Sequence, residues 1–399
     1  MSSQQPRTKV LFVDDDPVTI ERVRHGLDEH AARWDVRFAK NAHEALAEME
    51  FHGPYDAVVT DLRMPHIDGA ALLAEVKAHH PATVRVVMSD FLDLSSALRS
   101  VPVAQQFLES PVDVAKLVAT IERCADLSRR LENPSLRAML GQIDLLPTPP
   151  SSVVALNGVM NRQDGSIDEV AKIIEADPAM TAKLLQLVNS AFFGLSHRVT
   201  DARHAVTYLG LATVRNLLSA VELVRAFTPA NPELVRAVEG IHVHSMAVAE
   251  MARTLMAHRH QVHDAFAAGM MHDVGLLALI SCAPDKFLAL RDEAMASGRP
   301  LVACESEVLG TTHATLGAYL LNAWGLPHAL VEAVARSHDA DRITDRTLNP
   351  AHAVFVAEQV LNVLGRGGSM EGGRLPDHEY LSELGIADVV TQMVGRVRA

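Results

Sequence analysis

A change of hydrophobic period part-way along this chain restricts its fold more than any other feature. Up to about residue 125, short apolar runs alternate with helical patterns. Lys9-Val-Leu-Phe-Val stops abruptly at Asp14-Asp15-Asp16-Pro17, Val18 to His30 is helical, Val36-Arg-Phe-Ala is a second short run, and Asp56-Ala-Val-Val-Thr-Asp61 again ends in an acid. Strands alternating with helices predict a doubly wound parallel sheet, and in such sheets the site lies beyond the carboxyl ends of the strands. Further on the period of two is gone. Ser152 to Met160, Ile167 to Glu175, Ala179 to Val188 and Ala212 to Phe227 carry apolar residues at helical spacing, and Ser166-Ile-Asp-Glu has the form of a capping box. The expectation is an α/β domain followed by an all-α helical one. At 399 residues the chain is long for a single core, and a hydrophobic content of 48% supplies two.

Between the two patterns, Arg123 to Leu140 is charged with scattered leucines and reads as a helical linker able to pass on a change of orientation, broken at Asn133-Pro134. Leu145-Leu-Pro-Thr-Pro-Pro is a rigid extended entry, because proline fixes its own backbone and restricts the residue before it. Gly365 to Met370 and Gly372-Gly-Arg-Leu-Pro mark a loop, after which Tyr380 to Arg398 resumes an amphipathic helical pattern. That closing helix packs on its own domain or on a second subunit, so a homodimer stays open. The expected plan is a first domain over 1–125, a linker over 126–139, a second domain over 140–365 and a loop with a closing helix over 366–399.

A formal charge of −13 argues against a nucleic acid backbone as the main partner, since nothing on balance would release counterions. Three cysteines, Cys124, Cys282 and Cys304, lie far apart without paired spacing, which suits a reducing compartment and excludes a disulfide framework. No apolar run reaches the length of a membrane span, and Met1-Ser-Ser-Gln-Gln-Pro lacks a basic-then-apolar leader pattern. A cytoplasmic protein without a membrane partner is the expectation.

Two clusters carry chemistry. Asp14, Asp15 and Asp61 would meet beyond the strand ends, where clustered carboxylates repel one another unless a hard cation such as Mg2+ sits among them. A metal-held aspartate is also a nucleophile toward a phosphoryl donor. The alternative is a solvated acidic loop. In the helical part, His242-Val-His-Ser precedes the adjacent pair His272-Asp273, and His313, His338 and Glu358 follow, each inside its own apolar pattern. Residues two apart on a helix do not share a face, so one of His242 and His244 is expected to point inward. On spacing alone, six such residues either converge on an ion in a bundle core or are separate, individually satisfied side chains in a chain with 20 histidines.

The motifs of the first region resemble the response-regulator receiver domain, a flavodoxin-like fold. Val13-Asp-Asp-Asp-Pro, Thr60-Asp-Leu-Arg-Met-Pro-His-Ile-Asp-Gly69 and Val86-Val-Met-Ser-Asp carry the likeness, over about Lys9 to Ala125. The resemblance implies Asp61 as phospho-acceptor, Asp14 and Asp15 as Mg2+ ligands, the Arg63 carbonyl in the cation shell, Ser89 as the switch hydroxyl, Phe107 as the switch aromatic and a sensor histidine kinase as partner. One position departs from the family: Glu109-Ser110-Pro111 stands where it has Lys-Pro, so Ser110 occupies the place of the phosphate-neutralising lysine.

The second region resembles the HDOD family, a signalling relative of the HD phosphohydrolases, across about Leu140 to Gly365. The motifs are Leu146-Pro-Thr-Pro-Pro, Ile174-Glu-Ala-Asp-Pro178, Leu187-Val-Asn-Ser-Ala-Phe-Phe-Gly194, Ala205-Val-Thr-Tyr-Leu-Gly-Leu211 and Ala268-Gly-Met-Met-His-Asp-Val-Gly275. That family is commonly non-catalytic. By similarity to metal-dependent HD-GYP phosphodiesterases, His244, His272, Asp273, His313 and His338 match a ligand set for iron, manganese or another divalent ion, and Glu358 stands where its closing aspartate is expected. Against catalysis, Leu276 replaces a lysine, Ser337 replaces the first of two paired histidines, no Gly-Tyr-Pro loop follows His338, and cationic donors for an anionic substrate look sparse. Asp177-Pro178 and Asn189-Ser190 read as ordinary caps and helix ends.

Three readings follow. In the first, a phosphorylated receiver controls an HDOD output that contacts an unidentified signalling protein, cyclic-dinucleotide signalling proteins among the candidates, or a ligand. In the second, the receiver gates a metal-dependent phosphodiesterase or phosphohydrolase, with a cyclic dinucleotide as one candidate substrate. The third, a constitutive scaffold with a degenerate receiver, rests on Ser110.

Overall fold

The structure, a computed structural model, describes residues 7–89, 100, 103–131, 133–160, 162, 165–190, 195, 198–220, 227–229, 231–256, 259–339, 343, 345–365 and 374–398. Asp90, residues 191–194 of one HDOD motif, residues 221–226 of the expected helix over Ala212 to Phe227 and the glycine-rich stretch 366–373 lie outside them. By its internal contacts the chain forms two units. One comprises Met1–Asp144 with Gln186–His197 and Asn322–Gly325, and the other comprises Leu145–Leu185, Arg198–Leu321 and Leu326–Ala399.

The first unit is built on a parallel sheet of β1 (Thr8–Val13), β2 (Trp34–Ala39), β3 (Ala57–Asp61), β4 (Val84–Ser89) and β5 (Gln106–Glu109), in the order β2-β1-β3-β4-β5. Helices α1 (Pro17–Leu27), α2 (Ala42–His52), α3 (Gly69–His79) and α4 (Val114–Arg130) connect or follow the strands. Phe12, Val59, Val86, Leu117 and Ile121 share one core, which explains why the inner strands read as continuous apolar runs. The turn after β1 is fixed by Asp16, whose carboxylate accepts from the N–H groups of Val18 and Thr19 while Pro17 opens α1. The helical pattern Val18 to His30 divides into α1 and a short 3-10 turn, Asp28–His30.

The connector is two helices. After α4, Asn133 caps a restarted helix, α5 (Pro134–Gly141), by accepting from the N–H groups of Ser135 and Leu136. Its last turn leaves carbonyls that need donors. Arg85, a β4 side chain only 1% exposed, donates to the Gly141 carbonyl at 2.9 Å and to the Val103 carbonyl at 2.7 Å. Lys77 pairs with Asp144, and the Gln142 amide donates to the Lys77 carbonyl at 3.0 Å. These contacts fold residues 134–144 into the sheet unit, where the expected plan had a helical linker over 126–139 and the second domain from 140.

The second unit is helical. It contains α6 (Pro150–Met160), α7 (Ile167–Glu175), α8 (Pro178–Val188), α9 (Ala202–Ala220), α10 (Pro232–Leu255), α11 (Arg259–Met271), α12 (Val274–Cys282), α13 (Pro284–Ser297), α14 (Leu301–Leu309), α15 (His313–Ala323), α16 (His328–Ala335), α17 (Pro350–Val363), α18 (His378–Glu383) and α19 (Ala387–Arg398). Helix α9 begins earlier than its apolar pattern suggested and is interrupted at Gly210, whose φ of 74° is open to glycine at little cost. The single closing helix expected over Tyr380 to Arg398 is instead α18 and α19, parted at Gly385 with φ 72°. The expectation that no apolar run reaches membrane-spanning length is also corrected. Gln261–Cys282 is long and apolar enough, but 83% of that window is buried in the fold. Two core helices, α11 and α12, meet there at His272-Asp273.

Candidate metal centre and aspartate pocket

In the first unit, strand register assembles the acids. Val13 pairs with Thr60 and Asp61 pairs with Met88, so the residues that end β1, β3 and β4 share one edge of the sheet. Asp14 is buried and accepts from the Asp16 N–H at 2.9 Å. Burial pushes its carboxyl up to about 6, with the charges of Asp61, Asp15 and Asp16 adding to the rise and the Asp16 N–H opposing it. Asp61 is raised too, by burial and then by the charge of Asp15, against the opposing Arg63 N–H bond at 2.8 Å. Asp15 is exposed. Buried acids that resist ionisation fit a hard cation, which would offset that cost. Ser89 closes β4 and is buried, Phe107 is buried on β5, and the Ser110 N–H donates to the Ser89 carbonyl at 2.8 Å. Position 110 therefore stands beside the pocket without a cationic side chain.

In the second unit all six expected residues come together, in two groups. The ligand atoms of His244, His272 and Glu358 lie within 4.8 Å of one another, and so do those of Asp273, His313 and His338. His244 comes from α10, His313 opens α15, Glu358 lies on α17, and His338 follows α16. Within the first group His244 Nε2 is 2.8 Å from Glu358 Oε2 and 3.3 Å from His272 Nε2. Within the second, His313 Nε2 is 2.9 Å from His338 Nε2 and 3.3 Å from Asp273 Oδ1. Asp273 stands between the groups, with Oδ1 3.2 Å from His272 Nε2 and Oδ2 3.8 Å from His244 Nε2.

The far nitrogens fix the ring orientations. His272 Nδ1 is 2.7 Å from the Gly269 carbonyl, and His313 Nδ1 is 2.8 Å from Glu305 Oε2. Those Nδ1 atoms must carry hydrogen to bond an oxygen, which leaves a lone pair on each Nε2 in the neutral ring, directed at the centre. Lone pairs facing Asp273 Oδ1, which has no hydrogen-bond partner among the described residues, need a cation between them. Without a metal that cation is a proton. Burial would raise the Asp273 and Glu358 carboxyls, but the surrounding imidazoles outweigh it and hold both well below the usual carboxylate range. His313 is held well above the ordinary imidazole value: burial opposes this, and the charges and hydrogen bonds of Glu305 and Asp273 together overcome it. Two donors about 2.1 Å from one ion at near-right angles are about 3 Å apart, so these separations also fit a divalent ion.

Several residues escaped the sequence reading. Glu305 is fully buried on α14, and its place on the helix face shared with Leu301, Cys304 and Leu309 was the available signal. His242 does not point outward. It is buried on another face of α10, with Nε2 3.3 Å from Asp177 Oδ1 and Nδ1 2.8 Å from the Val238 carbonyl. Asp177 also caps α8, accepting from the Met180 N–H at 3.0 Å. Cationic donors are less sparse than the motifs suggested. A cavity of about 660 Å3 reaches His244, Asp273 and His313, and Arg236 and Arg291 line it. Arg291 is tied to Glu233 at 2.9 Å and to Asp292 at 2.7 Å, whereas Arg236 has no ion-pair partner among the described residues. Leu276 also lines the cavity, and Ser337 is buried with its hydroxyl donating to the Val334 carbonyl.

Comparison with known proteins gives the response regulator receiver domain over residues 10–122 and the HDOD domain over residues 146–340. The response regulator protein PilR of Pseudomonas aeruginosa is 30% identical over 212 residues, covering 47% of this chain and 46% of PilR. An uncharacterized protein of Treponema pallidum is 26% identical over 203 residues, covering 50% of this chain and 38% of its own length. The chain thus spans less than half the length of either relative. Among solved structures, the MmoQ response regulator from Methylococcus capsulatus is similar at 23% identity with a TM-score of 0.47, covering 63% of this chain and 98% of its own. An HDOD domain protein of unknown function from Geobacter sulfurreducens matches at 23% identity and a TM-score of 0.36, covering 65% and 87%.

A doubly wound sheet with acids gathered at its strand ends, joined to a helical His-Asp domain, defines a signalling protein of the receiver-and-output class. Within it, the chain belongs to the response regulators that join a receiver domain to an HDOD domain. Receiver domains generally use Mg2+ and take a phosphoryl group from a donor such as a histidine kinase, and HD-type domains bind divalent metals.

Proposed function

We propose that this protein is a phosphorylation-dependent response regulator in which Asp61 controls an HDOD output domain that holds divalent metal. The observation that carries the output half is the convergence of four imidazoles and two carboxylates on either side of Asp273. For the receiver half, support comes from the shared sheet edge of Asp14 and Asp61 and their raised carboxyl groups. Asp61 attacks the phosphorus of a phosphohistidine on a sensor kinase, the O–P bond forming as the P–N bond breaks; Asp14 and Asp15 would hold Mg2+, which would supply positive charge to offset that of the phosphoryl group. Ser89 and Phe107 read the new charge, and the output domain then engages a signalling partner or ligand.

A second reading, metal-dependent hydrolysis of a phosphate ester, is favoured by one observation: the cavity that reaches the centre and carries Arg236. Metal there would polarise a phosphoryl oxygen and lower the pKa of bound water. This chain's own part is to orient the donors through Gly269 and Glu305 and to meet substrate charge with Arg236.

Elemental analysis of the purified protein, followed by turnover assays with a generic phosphate ester and with cyclic dinucleotides, separates these readings. Bound metal without turnover supports the first, and turnover lost in Asp273→Ala moves the second ahead. A metal content that Asp273→Ala leaves unchanged, even after incubation with iron or manganese, overturns the metal-holding output.

A further inference from the structure

We infer that the two triads are unequal metal sites, and that Glu305 makes the one formed by Asp273, His313 and His338 the first to fill. The inference rests on the metal reading above and assigns an order within it.

The two groups are alike in donors, each offering two imidazoles and one carboxylate. They differ in what stands behind the rings. His272 is backed by a neutral acceptor, the Gly269 carbonyl, at 2.7 Å. His313 is backed by a carboxylate, and Glu305 Oε2 lies 2.8 Å from its Nδ1 and 2.8 Å from its backbone nitrogen. A carboxylate accepting the Nδ1–H leaves more electron density on the metal-facing Nε2 than a carbonyl does, and it adds a full negative charge close to that triad. Burial keeps that charge effective, because Glu305 is fully buried and the low local dielectric screens it little. Among the described residues no lysine or arginine pairs with it, and its second oxygen, Oε1, has no hydrogen-bond partner. The electrostatic effect of Glu305 therefore falls on His313. Two carboxylates serve the Asp273 group, Asp273 directly and Glu305 through the ring. The other group has Glu358 and shares Asp273, whose Oδ1 is 3.2 Å from His272 Nε2, but its His272 ring is backed by a neutral carbonyl, and on that ground it is the weaker attractor for a dication. Both open to one cavity, which reaches His244, Asp273 and His313, so access does not set the order.

Calorimetric titration of the metal-free full-length protein with Mn2+ tests this. Wild type is expected to show two steps of different affinity in addition to uptake by the receiver pocket, which Asp14→Ala removes and so identifies. Glu305→Gln keeps the side-chain size and an oxygen acceptor but removes the charge, and it should weaken the tight step by about 10–100-fold while leaving the weak step in place. Glu358→Gln should remove the weak step and leave the tight one unchanged, and His338→Ala should do the reverse. Thermal unfolding of each metal-free variant checks that it is folded. If Glu305→Gln does not fold, the Glu358→Gln and His338→Ala pair still decides the order. Loss of the tight step in Glu358→Gln, or two unchanged constants in a folded Glu305→Gln, overturns the inference while leaving the metal reading intact. No Mn2+ uptake by the Asp14→Ala protein, in which only the helical domain is left to bind, removes the metal reading itself.

Discussion

At the scale of single residues, the receiver pocket stores an electrostatic cost that can be measured. Asp14 ionises at about 6 in the folded protein against an ordinary 3.8. The folded state therefore holds a proton that the unfolded chain has released over that range, and stability falls as pH rises from about 4 to about 6. Above that the penalty is complete, and it is there that Mg2+ can offset it. The expected result is a Mg2+-induced rise in Tm at pH 7.5 that largely disappears at pH 5, where protons compete for Asp14; equal shifts at both pH values would detach Asp14 from the cation. Asp61 and Ser110 give a second measurement. Asp61→Asn should abolish Mg2+-dependent labelling by a small phosphoryl donor, and labelling that survives would rule out Asp61 as acceptor. Ser110→Lys places an ammonium beside Ser89 and should raise the labelled fraction. If it does not, the missing lysine is not what limits this receiver.

Among the helices, close approach sets the candidate metal centre, and glycine permits it. A Cβ on Gly275 would lie 1.8 Å from the His313 carbonyl oxygen and 2.8 Å from the Gly317 nitrogen, so α12 and α15 touch backbone to backbone just where His313 is presented. Gly269 does the same on α11, where a Cβ would fall 2.6 Å from the Ala249 Cα of α10. Gly275→Ala must push α15 away, and overpacking of this kind costs about 1–3 kcal/mol. Chemical denaturation should show that loss together with weaker metal uptake. Unchanged stability would mean that α15 moves without cost. These contacts also show what was readable in the sequence. The acids at strand ends were legible because strand period and turn chemistry are local, and parallel register then brings Asp14 and Asp61 to one edge without further information. The His272-Asp273 pair and Gly275 were legible as a motif, although the reason for the glycine was not. Glu305 was hidden, because its role depends on α14 placing it behind a ring from α15. His242 was misjudged for a related reason. Two residues apart on a helix do face different ways, but α10 is packed on more than one side, so His242 meets Asp177 while His244 meets Glu358.

For the whole molecule the question is whether the receiver and the output share one equilibrium. Control of the output by Asp61 requires that the phosphorylated state alter the free energy of some event in the helical domain, and linkage makes that coupling reciprocal. If that event involves the metal centre, a change there must change how readily the receiver takes up its activating ligand. The non-covalent phosphoryl mimic beryllofluoride, bound in the presence of Mg2+, gives an equilibrium constant to which reciprocity applies. Typical couplings of about 1–3 kcal/mol correspond to about 5–150-fold in affinity. The measurement compares the beryllofluoride Kd of wild type loaded with Mn2+ in the output domain against that of Asp273→Ala, with Asp61→Asn as the non-binding control. Chelation is avoided because it would strip the receiver's own cation. A Kd differing by about fivefold or more places the metal centre and Asp61 in one switch. Equal constants in two folded proteins would mean that phosphorylation acts on another surface of the output domain and that the metal centre is structurally independent of the receiver.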